Sequence, residues 1–356
     1  MEKSYQDKIE LHTDTILELL FSIQRIGVNK LYYKLAKEYG MAIDEEIDNW
    51  VNQVLNTINE PMKELLEFYF NDDGYFGLGL AFIVNELQVE KTFENFITYI
   101  EKLSPEKICS YLLLFGCEDQ LKEDFFSIKQ EERLFDIIEE YFTVSSTGKW
   151  RVFKILSKPE LVKKEVLSLL RYYYHTFYQK KQDEVDQFIA QYIIDHQDNL
   201  KQAFINSVFP VLAKGIETDL FTNQKALSIH ISYFTEWGSY FYFEKECLVI
   251  GYRYPEIVQI WGSGNQGLLS KLSILKVLAD ETRLKILLQM NQGPKYLTEL
   301  ADTLGFSTPA VKYHLEKFLT VSLIQMEKSE NKIYYTLNKV KFKELISELK
   351  HSFSIK

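Results

Sequence analysis

Residues 268 to 338 read LLSKLSILKVLADETRLKILLQMNQGPKYLTELADTLGFSTPAVKYHLEKFLTVSLIQMEKSENKIYYTLN. Within this stretch Leu297, Leu300, Ala301 and Leu304 recur at i, i+3, i+4 and i+7, which places one apolar stripe on a short helix. Gly305 follows where a helix C-terminus favours a residue able to take φ > 0. Ser307 or Thr308 can then accept the first free N–H groups of a second helix, and Pro309 suits its first turn because it has no N–H to leave unpaired. On that second helix Val311, Leu315, Phe318 and Leu319 share one face, so that face packs inward. Leu323 to Glu327 and Lys332 to Leu337 are strand-like on either side of a polar tip, Lys328, Ser329, Glu330 and Asn331. Two helices across a tight turn, followed by a hairpin, predict a winged helix-turn-helix.

The outward side of the second helix carries Pro309, Ala310, Lys312, Tyr313, Glu316 and Lys317. Small residues near its start allow close approach to a major groove, and lysines suit phosphates or guanine edges. Three phrases in this order, LADETRLKILLQM, FSTPAVKYHLEKFLTVSLI and SENKIYYTL, resemble the ArsR/SmtB family of regulators over about the last quarter of the chain. The resemblance implies DNA-facing or groove-adjacent roles for Ser307, Thr308, Pro309, Lys312, Tyr313 and His314, and wing contacts for Lys328 and Lys332. Ala310 and Lys317 join them from the helical face. Arg283 reads equally as a partner for Asp280 or as a phosphate contact, and His314 reads as a hydrogen-bonded structural histidine beside the apolar face.

The chain also departs from the family pattern. Where metal-sensing members carry Cys-x-Cys, it has Tyr296, Leu297 and Thr298. Its C-terminal helix, 339 to 352, offers His351, Glu344 and Glu348 rather than the paired sets that close a tetrahedral zinc site. No metal site and no cofactor are expected. Ser322 replaces the usual glycine before the wing, and Glu327 and Glu330 sit among the lysines of the wing, which weakens the case for phosphate contact there.

At 356 residues the chain is too long for one winged helix, and two or three domains are expected. Charge divides it. Residues 268 to 356 hold 14 Lys and Arg against 9 Asp and Glu; the chain totals of 41 and 51 leave 27 and 42 for the remainder, a net of −15. Phosphate would be repelled by that acidic bulk, so DNA contact belongs to the C-terminal module. Cys109, Cys117 and Cys247 are too few and too scattered for a disulfide framework and read as reduced core thiols. The first residues, MEKSYQDKIELHTD, contain no apolar core of a signal peptide, and no stretch approaches the roughly 20 apolar residues that span a bilayer. A soluble, cytoplasmic protein with no membrane partner is expected.

Helical periodicity covers 15 to 70, 93 to 103, 105 to 114, 132 to 142, 159 to 177 and 185 to 203, with a turn-rich patch NDDGYFGLG at 71 to 79. The period then changes, and 226 to 234, 239 to 243 and 247 to 254 read as strands. Fold class is therefore mostly α with minor β: a large helical domain (1–260) ending in a small strand region, a glycine-rich hinge (261–267), and a winged helix-turn-helix with a C-terminal helix (268–356). The phrases LLRYYYHTFYQ and CLVIGYRYPEIV give the first part a looser likeness to long helical domains that precede ArsR-like modules in some bacterial regulators. Tyr173, Tyr174 and Phe177, within the aromatic run Tyr172 to Tyr178, are a candidate ligand pocket, with core filling as the plainer reading. His175 and His196 lack a paired ligand set, and no nucleophile, base and orienting acid form a motif, so no enzymatic activity is expected. Gly262-Ser263-Gly264-Asn265-Gln266-Gly267 matches G-x-G-x-x-G in letters, but Asp280 comes too early for a ribose contact, and a hinge is the better reading.

These observations predict a homodimeric regulator that binds double-stranded DNA at a palindromic operator, with half-sites about 34 Å apart. It would be a ligand-responsive repressor not gated by metal, with a small-molecule effector sensed by the acidic part. Two other readings stay open: a winged-helix protein-interaction module, and a small-molecule enzyme with an appended winged helix.

Overall fold

In the computed structural model the described residues are 8–114, 134–135, 138–139, 142, 144–212, 227–242, 247–262, 272–321, 323–329 and 332–352. Contacts divide the chain into two compact units, one made of Ile9–Leu200 and Ser228–Tyr254, the other of Met1–Lys8, Lys201–Leu227 and Pro255–Lys356. The mostly helical class with minor sheet is as expected. Most of the helix expected over 132 to 142, the side chains at the wing tip, Cys117 and the glycine stretch beyond Gly262 lie outside the described residues.

The larger unit is built around helix α1 (Thr15–Gly27), in which every residue from Ile16 to Ile26 is buried. Its sequence, TILELLFSIQRIG, is apolar on all sides apart from a few polar positions, the pattern of a helix surrounded by protein. The Asp14 carboxylate caps it, accepting from the N–H groups of Ile16 (2.9 Å) and Leu17 (3.1 Å). Around it pack α2 (Asn29–Tyr39), α3 (Glu45–Thr57), α4 (Glu60–Tyr69), a 3-10 turn (Phe76–Leu80) and α5 (Ala81–Glu86). Further helices complete the layer: α6 (Phe93–Lys102), α7 (Pro105–Leu112), α8 (Ser146–Ser157), α9 (Pro159–Thr176) and α10 (Gln182–Leu212), the last contributing residues through Leu200.

A four-stranded sheet, in the order β1-β2-β4-β3, is formed by β1 (Ile9–His12), β2 (Leu227–Ser232), β3 (Ser239–Tyr242) and β4 (Cys247–Gly251). Strands β2 and β4 are parallel, with His230 opposite Val249, and β3 runs antiparallel to β4. Three of the strands fall where the aromatic and β-branched runs predicted them. The first, four residues near the N-terminus, gives too short a periodic signal to be read.

Each polar side chain in α1 has a partner. Glu18 lies 2.8 Å from His230 Nε2 and accepts the Tyr233 N–H at 3.0 Å. Tyr173 donates its hydroxyl to Ser22 at 3.0 Å, and Gln24 donates to the Asn71 carbonyl at 3.2 Å. Arg25 Nε donates to Glu236 Oε1 at 3.3 Å with both side chains fully buried, and its guanidinium covers the Tyr32 ring at 4.0 Å. Glu236 adopts φ 50 in the turn between β2 and β3, and its other oxygen accepts the Asp44 N–H at 2.9 Å. The turn sits so close to β4 that a Cβ on Gly251 would lie 1.7 Å from the Glu236 carbonyl oxygen, so only glycine fits there.

In the smaller unit α11 (Tyr254–Gly262) occupies a stretch whose first residue was expected to end a strand. Beyond the glycine stretch come α12 (Leu272–Leu278), α13 (Glu281–Met290), β5 (Lys295–Tyr296), α14 (Leu297–Leu304), α15 (Thr308–Thr320), β6 (Ile324–Ser329), β7 (Lys332–Leu337) and α16 (Lys339–Ser352). Their core gathers Ile286, Leu287, Leu300, Val311, Leu315, Phe318, Leu323 and Leu345. The wing is three-stranded, β5-β7-β6, with Tyr296 opposite Tyr334. A two-residue strand has no alternation to detect, which is why only two strands were expected.

Among the described residues Cys109 and Cys247 are free and buried, as expected of core thiols, and no helix is long and apolar enough to cross a membrane. Replacing Arg25 with Met leaves the Glu236 carboxylate buried without its principal counter-charge. Urea unfolding followed through the fluorescence of Trp50 and Trp237 is expected to show a loss of about 3–5 kcal/mol, the usual consequence of removing one member of a buried ion pair.

Candidate nucleic-acid interface

Helix α14 ends on Gly305, whose φ of 69° is left-handed and whose N–H returns to the Ala301 carbonyl. Helix α15 restarts three residues later, with Ser307 at the N-cap position and Pro309 in its first turn. One sequence expectation is corrected here: the Ser307 side chain forms no cap hydrogen bond. With φ −71 and ψ 147 the backbone is already extended, and the proline removes one of the donors a cap would serve.

The two faces of α15 separate as its spacing requires. Val311, Leu315 and Phe318 are buried at 1% exposure or less, and Leu319 is half-buried against the same core. On the other side Tyr313 is 56% exposed, Lys317 is exposed, and Ala310 and Lys312 are half-buried. Lys317 Nζ lies 5.4 Å from the centroid of the Tyr313 ring, one turn earlier, so an aromatic face and a cation form a continuous exposed surface. Ser307 is exposed and Thr308 half-buried at the leading end. Pro309 stands in the first turn, and Lys328 and Lys332 lie at the adjoining ends of β6 and β7, where Ser329 pairs with Lys332; the side chains of these three lie outside the described residues.

His314 and Arg283 occupy the flank. The Asp280 carboxylate caps α13 by accepting the Arg283 N–H at 2.9 Å, and the Arg283 side chain turns back to within 3.6 Å of it. That N–H, followed by the nearby guanidinium charge, holds Asp280 below the usual carboxylate range. Of the two readings of Arg283, the structure shows the Asp280 partnership. His314 is half-buried, its Nδ1 has no hydrogen-bond partner, and burial lowers its pKa. The expected hydrogen-bonded histidine is therefore not seen at that nitrogen, because its neighbours are a capping carboxylate already engaged by Arg283 and the apolar core.

At the position of the family's thiolate pair, Tyr296 packs edge-on to Tyr334 at 5.8 Å and Thr298 is exposed. In the larger unit Tyr173 is fully buried, Tyr174 stacks on Phe93 at 3.8 Å, and Phe177 is half-buried beside Tyr172 and Tyr173. A cavity of about 260 Å³ lies elsewhere in that unit, with His12, Lys91, Ser228 and His230 among its polar lining and Leu17 and Leu248 among its apolar lining. Sequence reading missed it because the lining comes from separate segments with no shared motif. The one available signal was a histidine in the otherwise apolar strand LSIHIS.

The family model for bacterial regulatory proteins of the arsR family matches residues 280–324, from the cap of α13 to the start of the wing. The arsenical resistance operon repressor of Staphylococcus aureus is 31% identical over 77 residues, 22% of this chain and 74% of that protein. The HTH-type transcriptional regulator NmtR of Mycobacterium tuberculosis is 32% identical over 76 residues, covering 21% of this chain and 63% of its own length. The arsenical resistance operon repressor of Staphylococcus xylosus is 35% identical over 66 residues, 18% of this chain and 64% of that protein. No solved structure matches the chain. Fold and match together define a helix-turn-helix regulator that binds DNA. The chain belongs, through its C-terminal module, to the ArsR family of bacterial regulatory proteins.

The two faces of α15 are expected to answer differently to substitution. Leu315→Ala should lower the melting temperature of the module through a loss of about 2–5 kcal/mol, whereas Tyr313→Ala should fall within roughly 0.5 kcal/mol of wild type. Thermal unfolding monitored by circular dichroism compares them directly.

Proposed function

We propose that this protein is a homodimeric, ligand-responsive repressor whose release from DNA is not gated by metal. The observation that carries the reading is the exposed Tyr313–Lys317 surface of α15, set on a helix whose opposite face is locked into the core. Ser307, Thr308, Pro309, Ala310, Lys312, Tyr313 and Lys317 would enter the major groove, with His314 beside them and Lys328 and Lys332 reaching the flanking backbone. Two such helices in one dimer would read a palindromic operator with half-sites about 34 Å apart.

Dimerisation is supported by apolar side chains left exposed on the same module: Leu284 and Leu288, one turn apart on α13, and Val340 and Ile346 on α16. Two of the relatives are named as operon repressors, which supports repression as the sign of regulation. Their names concern arsenical resistance, yet Tyr296 and Thr298 supply no thiolate here, and the core thiol Cys247 is pushed up to about 12 by burial. We assign effector sensing to the acidic part, 1–260, joined through 261–267 to the DNA-binding part, 268–356.

Gel-shift with DNA from upstream of the protein's own gene tests the reading. Specific retardation is expected, and its absence across genomic fragments would instead favour a protein-contact role for the winged helix. Lys312→Ala and Lys317→Ala should each weaken binding and each flatten the slope of log K against log salt by about 1. Wild-type affinity in both would remove them from the groove. Zinc, cadmium and arsenite at near-stoichiometric concentration should leave operator affinity unchanged, and a metal-dependent release would defeat the proposal that gating is independent of metal.

A further inference from the structure

The 260 Å³ cavity lies between β1, α1, β2, β4 and the segment from Asn85 to Lys91, all within the larger unit. Its volume falls just below the ~300 Å³ at which pockets for drug-sized ligands begin, so it suits a metabolite-sized molecule. His230 forms part of its wall and is only 1% exposed. The ring is fixed by Glu18, whose Oε1 sits 2.8 Å from Nε2 while Oε2 holds the Tyr233 N–H. A neutral imidazole whose proton faces Glu18 presents Nδ1 as a lone-pair acceptor, and this buried Nδ1 has no hydrogen-bond partner. An unsatisfied acceptor in a cavity wall calls for a donor on whatever fills the cavity.

The surrounding charges narrow the choice. Glu18 and Asp14 place two buried carboxylates near the cavity, and Lys91, at the mouth, is 2.7 Å from Asp14 Oδ2. The local field therefore favours a cationic donor deep in the cavity, while the lysine can meet an anion at the entrance. Ser228, which lies 3.0 Å from His12 Nδ1, and Asn85 add neutral polar groups to the lining, and Leu17 and Leu248 supply a small apolar wall. A thiolate-bound soft metal is disfavoured by Cys247, which burial keeps as a thiol, and among the described residues no group of three metal-ligating side chains is placed to hold an ion.

We propose that this cavity binds a small aliphatic α-amino acid as its zwitterion. The ammonium donates to His230 Nδ1, the carboxylate faces Lys91, and the side chain rests on Leu17 and Leu248. This names an effector site for the regulator proposed above, and it depends on that reading only for the consequence at DNA.

Isothermal titration of the full chain with L-alanine, L-valine and L-leucine tests the site. Saturable binding of at least one is expected, with roughly tenfold or greater weakening when leucinamide or 4-methylpentanoate replaces leucine, because each lacks one charged hydrogen-bonding group. Lys91→Gln, a change at a partly exposed side chain, should weaken the amino acid by a similar factor and leave the amide unchanged. The 15N resonance of His230 Nδ1 should move upfield on binding, as a bare imine nitrogen does when it accepts a hydrogen bond. Absence of binding by all three amino acids would overturn the proposal, as would equal affinity for the amide or a His230 shift produced by zinc chloride alone. Gel-shift with the bound amino acid separates the two readings. Binding with unchanged operator affinity upholds the site and removes it as the effector site; release of operator by other metabolites, with no amino-acid binding, overturns the site and leaves the repressor reading standing.

Discussion

Arg25 and Glu236 meet where neither touches solvent, and the larger unit is organised around the need to satisfy them. An unpaired charge at that depth would cost several kcal/mol, so the two must arrive together. One comes from the central helix and the other from the turn between β2 and β3, which ties helix to sheet. The same carboxylate also accepts the Asp44 N–H ahead of α3 and lies 3.7 Å from Arg253 beyond β4. Burial pushes the Glu236 pKa upward against these partners, so the pairing offsets a desolvation cost rather than adding a large surplus. Its value lies in specificity: only one arrangement of helix, turn and strand leaves no charge alone. The left-handed φ of Glu236 and the close approach of Gly251 are local consequences of holding the carboxylate in place.

Glu18 and His230 repeat the device two turns earlier on the same helix, with a different outcome. There the carboxylate is fully used by an imidazole and a backbone N–H, but the imidazole keeps one buried nitrogen without a partner. A structure that pairs nearly every polar group of its central helix and leaves this one open beside a cavity departs from its own rule at one point. Such departures concentrate where a ligand supplies the missing partner.

In the winged-helix unit no buried ion pair plays that part. The faces of α14 and α15 are fixed by apolar packing alone, and the polar flank is a single capping cluster of Asp280 and Arg283, with His314 beside it. Apolar packing is periodic along the chain, and for that reason the unit could be read from its sequence almost residue by residue. The inward Val311, Leu315 and Phe318 and the exposed Tyr313 and Lys317 follow from 3.6 residues per turn. What escaped was non-periodic: the two-residue strand β5, the idle Ser307 side chain, and the unpartnered His314 Nδ1.

The sequence by itself determined the helix-turn-helix, the family, the division of charge, and three of the four strands of the larger sheet, because turn chemistry, periodicity and composition are local. Only tertiary structure decided that α1 would be buried on every side, that residues 9 to 12 would join strands more than two hundred positions away, and that His12, Lys91, His230 and Cys247 would line one cavity. Contacts between distant segments leave no period in a single chain. A buried arginine or histidine looks like a surface residue until the carboxylate that neutralises or orients it has been found.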